Sequence, residues 1–123
     1  MSNNRDDNVK KCWNKLGSED PYWGVLTNDK YRKDRCNVDD FFKTGEVLSK
    51  ELCDLCVDYN IHLDTSNVLE FGVGVGRMAK HIIDRCNLLY AVDISDSYLE
   101  KCSAMFDNSR SFNYAMIHYD NFY

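Results

Sequence analysis

The fold of this 123-residue chain is decided by the stretch Val68-Leu69-Glu70-Phe71-Gly72-Val73-Gly74-Val75-Gly76-Arg77. Its first four residues form a short apolar run typical of a buried strand, and the closely spaced glycines after them predict a tight loop. The residues that follow the loop have the spacing of one helix face: Met78, Ala79, Ile82, Ile83 and Cys86. A strand that leads through glycines into a helix lets the backbone approach a ligand closely and directs free N–H groups toward it.

The rest of the second half continues the same alternation of strand and helix. Residues Leu88 to Val92 form another continuous apolar run, which ends at Asp93. Ser95 is a predicted N-cap of the next helix, and a last strand is expected from about Phe112 to Tyr119. Continuous apolar strands are typical of parallel sheets that are covered on both faces. The order β-α-β-α-β therefore predicts an α/β fold with three parallel strands and right-handed crossover helices.

The glycine loop and Asp93 together indicate a cofactor that contains adenosine. Asp93 follows Gly72 by 21 residues and lies at the end of the next strand, where a carboxylate accepts hydrogen bonds from both ribose hydroxyls. A dinucleotide fingerprint requires G-x-G-x-x-G, but its third glycine position is occupied by Arg77. Nicotinamide and flavin cofactors are therefore disfavoured. A P-loop is excluded because no Gly-Lys-Ser/Thr follows.

Three segments in this order resemble the class I S-adenosylmethionine-dependent methyltransferases. They are Val68 to Arg77, the run Tyr90-Ala91-Val92-Asp93-Ile94-Ser95, and a strand that ends in His118-Tyr119-Asp120. The resemblance covers roughly residues 67–120. It implies a partial Rossmann-like three-layer sandwich, with S-adenosyl-L-methionine as the cofactor and methyl transfer as the activity.

The resemblance also implies which residues hold the cofactor. Glycines 72, 74 and 76 would pass under its methionine part, and Glu70 would help to hold that loop and the amino group. Asp93 would bind the ribose hydroxyls, Ile94 would pack on the adenine, and Asp120 would accept from the adenine amino group. The complete implied set is Glu70, Gly72, Gly74, Gly76, Arg77, Asp93, Ile94 and Asp120. Taken singly, the glycines are also compatible with a simple tight turn, Asp93 with a helix cap, and Asp120 with a solvated turn.

The first third of the chain is irregular and rich in aromatic residues. We expect residues 1–45 to form short helices and loops, and residues 46–123 to form the cofactor-binding domain. A helix is predicted to open at Thr44-Gly45 and to run to about Tyr59. The aromatic residues of the first third need an apolar surface to cover, so we expect a lid or brace beside the glycine loop from Tyr22, Trp23, Phe41 and Phe42.

Composition limits the class of protein. The net charge of −5 gives a nucleic-acid partner no support, and no apolar stretch is long enough to cross a membrane. We therefore expect a cytoplasmic protein with six reduced cysteines. The pair Cys53 and Cys56 lies on a helical apolar face, where core packing is favoured over a metal or redox site, and no metal is expected.

The resemblance ends with the third strand, so the sequence has the form of a truncated methyltransferase. Acceptor-orienting residues of the family come later, and we nominate no catalytic residue here. The methyl acceptor stays open between a small molecule, a protein and an RNA. The alternative is a non-catalytic cofactor-binding or interaction module that needs a partner chain. We also expect self-association, because β-strand 68–71 would present an unpaired edge.

Overall fold

The computed structural model describes residues 4–117, in which five α-helices precede or flank a parallel sheet. The helices and strands are α1 (Asn4–Glu19), α2 (Pro21–Val25), α3 (Val38–Asp58), β1 (Asn67–Phe71), α4 (Ala79–Ile82), β2 (Leu88–Asp93), α5 (Asp96–Ala104) and β3 (Phe112–Met116). Short 3₁₀ turns lie at Asp29–Tyr31 and Ile83–Arg85. The alternation expected for the second half is therefore confirmed, with β3 ending at Met116.

The three strands are parallel and lie in the order β1-β2-β3. Leu69 is the register partner of Tyr90, and Ala91 is the partner of Tyr114. Both crossovers step in the same direction across the sheet, so right-handed connections place α4 and α5 on the same face. The partial Rossmann-like fold predicted from the sequence is confirmed.

The main core lies between that face of the sheet and the two helices. Strand residues that point the same way meet helix residues in this core: Leu89, Ala91 and Phe112 from the sheet, and Ala79, Leu99 and Cys102 from the helices. Alternation along a strand sends neighbouring residues to the opposite face. On that opposite face, Leu69 is 63%, Phe71 67% and Tyr90 44% exposed. The described residues thus supply two layers of the expected sandwich, the sheet and one helix layer.

The first third is more helical than the sequence indicated. α1 contains 16 residues, and α3 begins at Val38 rather than at Thr44. The Asn37 side chain caps α3 by accepting a hydrogen bond from Asp40 N (3.1 Å). Gly45 lies inside this helix. A side chain at this position would strike the Arg77 carbonyl, so the position requires a glycine. The predicted helix start was wrong since this glycine provides a close approach between segments and not a break. α3 also runs across the boundary drawn between residues 45 and 46.

A second core joins the first third to the glycine loop. It contains Tyr31, Phe41, Phe42, Val75 and Tyr98. Phe41 and Phe42 meet edge to face with ring centroids 5.4 Å apart, and Tyr22 meets Phe41 at 4.9 Å. Because Val75 belongs to the loop, the aromatic brace expected beside it is confirmed for these residues. Trp23 instead lies under the Arg32 guanidinium, 3.5 Å from its ring centroid.

Candidate functional site

A cleft of about 430 Å³ opens at the carboxyl ends of β1 and β2, next to the glycine loop. Open α/β sheets bind ligands at these strand ends. The N-terminal segment contributes one wall and the sheet the other. The lining residues are Trp13, Gly24, Val25, Phe71, Gly72, Gly74, Asp93, Ile94, Tyr98 and Ile117. Asp93 is the one charged side chain among them.

The loop after β1 depends on backbone conformations that L side chains rarely adopt. Gly72, Gly74 and Gly76 have φ values of +76°, +56° and +85°. The Gly72 and Val73 N–H groups both donate to Val92 O, at 2.8 and 3.0 Å, and this pair of bonds ties the loop to β2. Gly72 has open space where a side chain would be, whereas Gly76 packs against Cys102 and Met105 of the α5 region. The first glycine of the loop therefore faces the cleft and the last faces the core.

Asp93 joins the two loops that border the cleft. It is 7% exposed. Its Oδ2 accepts from Gly74 N (2.8 Å), and its Oδ1 accepts from Ser95 N (2.9 Å). A carboxylate has about four lone-pair positions, so each oxygen can accept a further hydrogen bond from a ligand. Asp93 is both a structural tie and a candidate ligand group.

The amino end of α5 is held by α1. The Ser95 side chain caps α5 by accepting from Tyr98 N (3.3 Å), which confirms the predicted N-cap. Its hydroxyl donates to Asn14 Oδ1 (2.8 Å), and the Ser97 hydroxyl donates to Asn14 O (2.8 Å). These bonds hold α1, and with it Trp13, at the mouth of the cleft.

Tyr98 fixes α2 to the other side of the cleft. Its hydroxyl donates to Pro21 O (2.9 Å) and lies so close to Gly24 that a side chain at Gly24 would collide with it. Burial raises the pKa of Tyr98 to about 12, and the carboxylates of Asp93 and Asp20 contribute. The hydroxyl therefore keeps its proton over the physiological range and remains a donor.

Glu70 lies behind the loop and does not line the cleft. It shares the inward face of β1 with Val68, and its Oε2 is buried with no hydrogen-bond partner among residues 4–117. Burial raises the pKa of Glu70 to about 7, although nearby Arg77 opposes the shift. Burial also raises the pKa of the Cys102 thiol to about 12, with contributions from Glu70 and Asp93.

The structure brings together half of the residues implied by the resemblance. Four of them line the cleft: Gly72, Gly74, Asp93 and Ile94. Glu70, Gly76 and Arg77 support the loop from outside the cleft, and the Arg77 guanidinium donates to Thr44 Oγ1 (3.2 Å). Asp120 lies outside the described residues.

Sequence reasoning missed the wall that the N-terminal segment provides. Trp13, Gly24 and Val25 belong to this wall, and no local pattern connects them to a strand end 46 or more residues later. Tyr98 had a usable signal, because it lies next to Leu99 and four residues before Cys102 on the inner face of α5. In the described part of the chain, no cluster of three metal-ligating side chains forms and no helix is long and apolar enough to span a membrane.

No family model matches the chain, and the search of curated proteins gives no significant match. The sequence comparisons therefore assign no family.

The fold matches solved structures, including the following two. Phosphoethanolamine N-methyltransferase 1 of Haemonchus contortus, solved with phosphoethanolamine and S-adenosylhomocysteine, has a TM-score of 0.65 and 18% identity over 93% of this chain. Magnesium protoporphyrin IX methyltransferase of Synechocystis PCC 6803, with bound SAH, has a TM-score of 0.59 and 17% identity over 91%. The chain spans 22% and 51% of their lengths, respectively. It thus has the Rossmann-like fold of S-adenosylmethionine-dependent methyltransferases over the part of that fold that it covers.

Proposed function

We propose that the cleft binds S-adenosylmethionine and that this chain carries the cofactor-binding part of a methyltransferase. The observation that carries the proposal is the meeting of Gly72, Gly74 and Asp93 in a cleft at the ends of β1 and β2. The fold shared with two methyltransferases, whose structures hold the demethylated cofactor, supports it.

The lining residues offer suitable chemistry for each part of this cofactor. Asp93 has free acceptor capacity for the two ribose hydroxyls, and the apolar side chain of Ile94 lies beside it for the adenine ring. The open space at Gly72 leaves room for the methionine part against the loop backbone. Glu70, Gly76 and Arg77 would act indirectly, by holding the loop. Asp120 remains a proposed partner of the adenine amino group.

The proposed reaction needs little from the protein beyond alignment. The cofactor supplies an activated methyl group on a sulfonium, and the protein must hold an acceptor nucleophile in line with it. Within this chain, the cleft walls would exclude water and the loop would fix the position of the methyl donor. The acceptor and the residues that orient it are left open by this proposal.

Titration calorimetry with three ligands tests the assignment. We expect S-adenosylmethionine and S-adenosylhomocysteine to bind the chain, and NAD to bind much more weakly or not at all. Tighter binding of NAD would overturn the proposal, as would the absence of binding by both S-adenosyl compounds.

A variant pair tests the role of Asp93. Asp93→Ala should weaken S-adenosylhomocysteine binding by about 1–3 kcal/mol, because charge-assisted hydrogen bonds to the ribose are lost. Asp107→Ala is the matched control, since Asp107 is an exposed acid after α5 that does not line the cleft. Equal affinities of the Asp93 variant and the native chain would mean that Asp93 serves only to tie the loops.

The alternative, a non-catalytic binding module, makes the same binding predictions. A transfer assay with S-adenosylmethionine labelled on its methyl group distinguishes the two functions. Label that appears in an added small molecule, protein or RNA supports the enzyme. Binding without transfer to any of these classes favours the module.

A further inference from the structure

The amino end of α5 is capped in part by a side chain from another helix. Ser95 is the local cap, because its hydroxyl accepts from Tyr98 N (3.3 Å). Ser97 N is satisfied instead by Asn14 of α1, whose Oδ1 accepts from it at 3.3 Å. The same Oδ1 accepts from the Ser95 hydroxyl at 2.8 Å. Both lone pairs of Asn14 Oδ1 are therefore used at the amino end of α5.

A glycine allows α1 to lie this close to α5. A side chain at Gly17 would strike the Ser97 hydroxyl and would approach the Tyr98 ring to 3.0 Å. The Ser97 hydroxyl also donates to Asn14 O (2.8 Å), which adds a third hydrogen bond between the two helices. The half-buried Asn14 is therefore fixed against α5 through both its side chain and its backbone.

The same end of α5 provides a hydrogen bond that orients Asp93. Each carboxylate oxygen of Asp93 has one backbone donor, Gly74 N for Oδ2 (2.8 Å) and Ser95 N for Oδ1 (2.9 Å). The second bond lasts only while the backbone of Ser95 stays in place. Ser95 is 0% exposed, and Asn14 holds its hydroxyl. Asn14 does not line the cleft, so it acts on the carboxylate through Ser95.

We infer that Asn14 is a positioning residue for ribose recognition, an inference that rests on the proposed function. Asn14 holds Ser95, Ser95 orients Asp93, and Asp93 receives the ribose hydroxyls of the cofactor. A binding group that is already oriented costs less to order when the ligand arrives, so affinity is higher. Loss of the Asn14 side chain should therefore weaken binding of those ligands that carry ribose hydroxyls.

Calorimetry with S-adenosylhomocysteine and its 2′,3′-dideoxy analogue tests the inference, because the analogue lacks the hydroxyls that Asp93 receives. Asn14→Ala should weaken binding of S-adenosylhomocysteine about fivefold and that of the analogue less than about twofold. Asn14→Asp keeps the Oδ1 acceptor and should restore the affinity for S-adenosylhomocysteine to within about twofold of the native value. The matched control is Asn8→Ala, the same change at an exposed asparagine of α1, which should alter neither affinity.

Amide hydrogen exchange in the unliganded chain provides a readout that needs no ligand. Asn14→Ala should speed exchange at Ser95 N severalfold, because the position of this donor relative to Asp93 is no longer fixed. Leu89 N, which donates to Ser111 O (2.7 Å) in the sheet, should keep its native rate. Asn8→Ala should leave both rates unchanged.

The outcomes separate this inference from the proposed function. Equal effects of Asn14→Ala on the two ligands, an unchanged rate at Ser95 N, or no rescue by Asn14→Asp would overturn the inference alone. Faster exchange at both Ser95 N and Leu89 N would also overturn it, since Asn14 would then stabilise the whole fold. If the native chain binds S-adenosylhomocysteine no more tightly than the analogue, or not at all, the proposed role of Asp93 fails and the inference falls with it.

Discussion

The buried carboxyl of Glu70 makes stability depend on pH. Its pKa rises from 4.5 to about 7 on folding, so the folded state holds a proton that the unfolded state has lost between these values. The contribution of Glu70 is therefore most favourable below about pH 4.5, and it declines until about pH 7. A shift of this size corresponds to about 3 kcal/mol at most.

Glu70→Gln should remove this dependence, because the amide stays neutral at every pH. We expect the stability of the variant relative to the native chain to improve by about 3 kcal/mol between pH 4.5 and pH 8. Urea unfolding at several pH values measures the difference, in which the other titrating groups cancel. A difference that does not change with pH would show that Glu70 is ionised and solvated.

The first and last glycines of the loop should respond differently to alanine. Both need a left-handed backbone, so each substitution costs about 1–2 kcal/mol of stability. At Gly76 the new Cβ would also lie 2.6 Å from Met105 Cε, and overpacking adds about 1–3 kcal/mol. Gly76→Ala should therefore lower the unfolding free energy more than Gly72→Ala does.

Ligand binding should follow the opposite order. Gly72 lines the cleft and Gly76 does not, so Gly72→Ala should weaken S-adenosylhomocysteine binding more strongly. Unfolding curves and calorimetry on the same two variants measure both quantities. If one variant is worse in both, the division of the loop into a cleft side and a core side is wrong.

At the scale of elements, Tyr98 links α5 to α2. Tyr98→Phe removes the hydrogen bond from the Tyr98 hydroxyl to Pro21 O, which should cost about 0.5–1.5 kcal/mol of stability. Binding of S-adenosylhomocysteine should also weaken severalfold, because α2 supplies Gly24 and Val25 to the cleft wall. Tyr114→Phe is the control, since Tyr114 is an exposed tyrosine of β3. Equal stability of the two variants would show that the bond does not hold α2.

The sequence predicted the elements of the second half because their signals are local. Apolar runs mark β1 and β2, glycines mark the loop, and the end of a run places Asp93 at a strand tip. The direction of each side chain depends on register and packing. Strand alternation alone directs Glu70 inward with Val68, and the approach of α5 directs Gly76 away from the cleft.

The helices of the first third of the chain could not be predicted from local sequence patterns. α1 is held by contacts such as Asn14 with Ser95, which are 81 residues apart in the chain. Polar contacts at this distance leave no period in the sequence. Gly45 looks like a helix boundary because glycine is common there. Its actual packing partner, the Arg77 carbonyl, comes 32 residues later and leaves no signal near Gly45.

At the scale of the whole molecule, the cleft joins two parts that are distant in sequence. Trp13, Gly24 and Val25 form one wall, and the ends of β1 and β2 form the other. A ligand between the walls adds its binding free energy to the folded state as a unit, about 2.7 kcal/mol at one hundred times its dissociation constant. Binding should therefore raise the melting temperature and slow hydrogen exchange in α1.

Tryptophan fluorescence can report whether a ligand lies between the two cleft walls, because only one of the two tryptophans lines the cleft. Trp13 lines the cleft with its ring centroid 6.4 Å from that of Tyr98, whereas Trp23 is covered by Arg32 and does not line the cleft. The sequence predicts Trp23 as part of the brace beside the loop, but the structure leads us to expect the fluorescence response from Trp13. Adding S-adenosylhomocysteine should change the emission of the native chain and of Trp23→Phe, and should leave that of Trp13→Phe nearly unchanged. A response that persists in Trp13→Phe and disappears in Trp23→Phe would place the ligand away from the α1 wall.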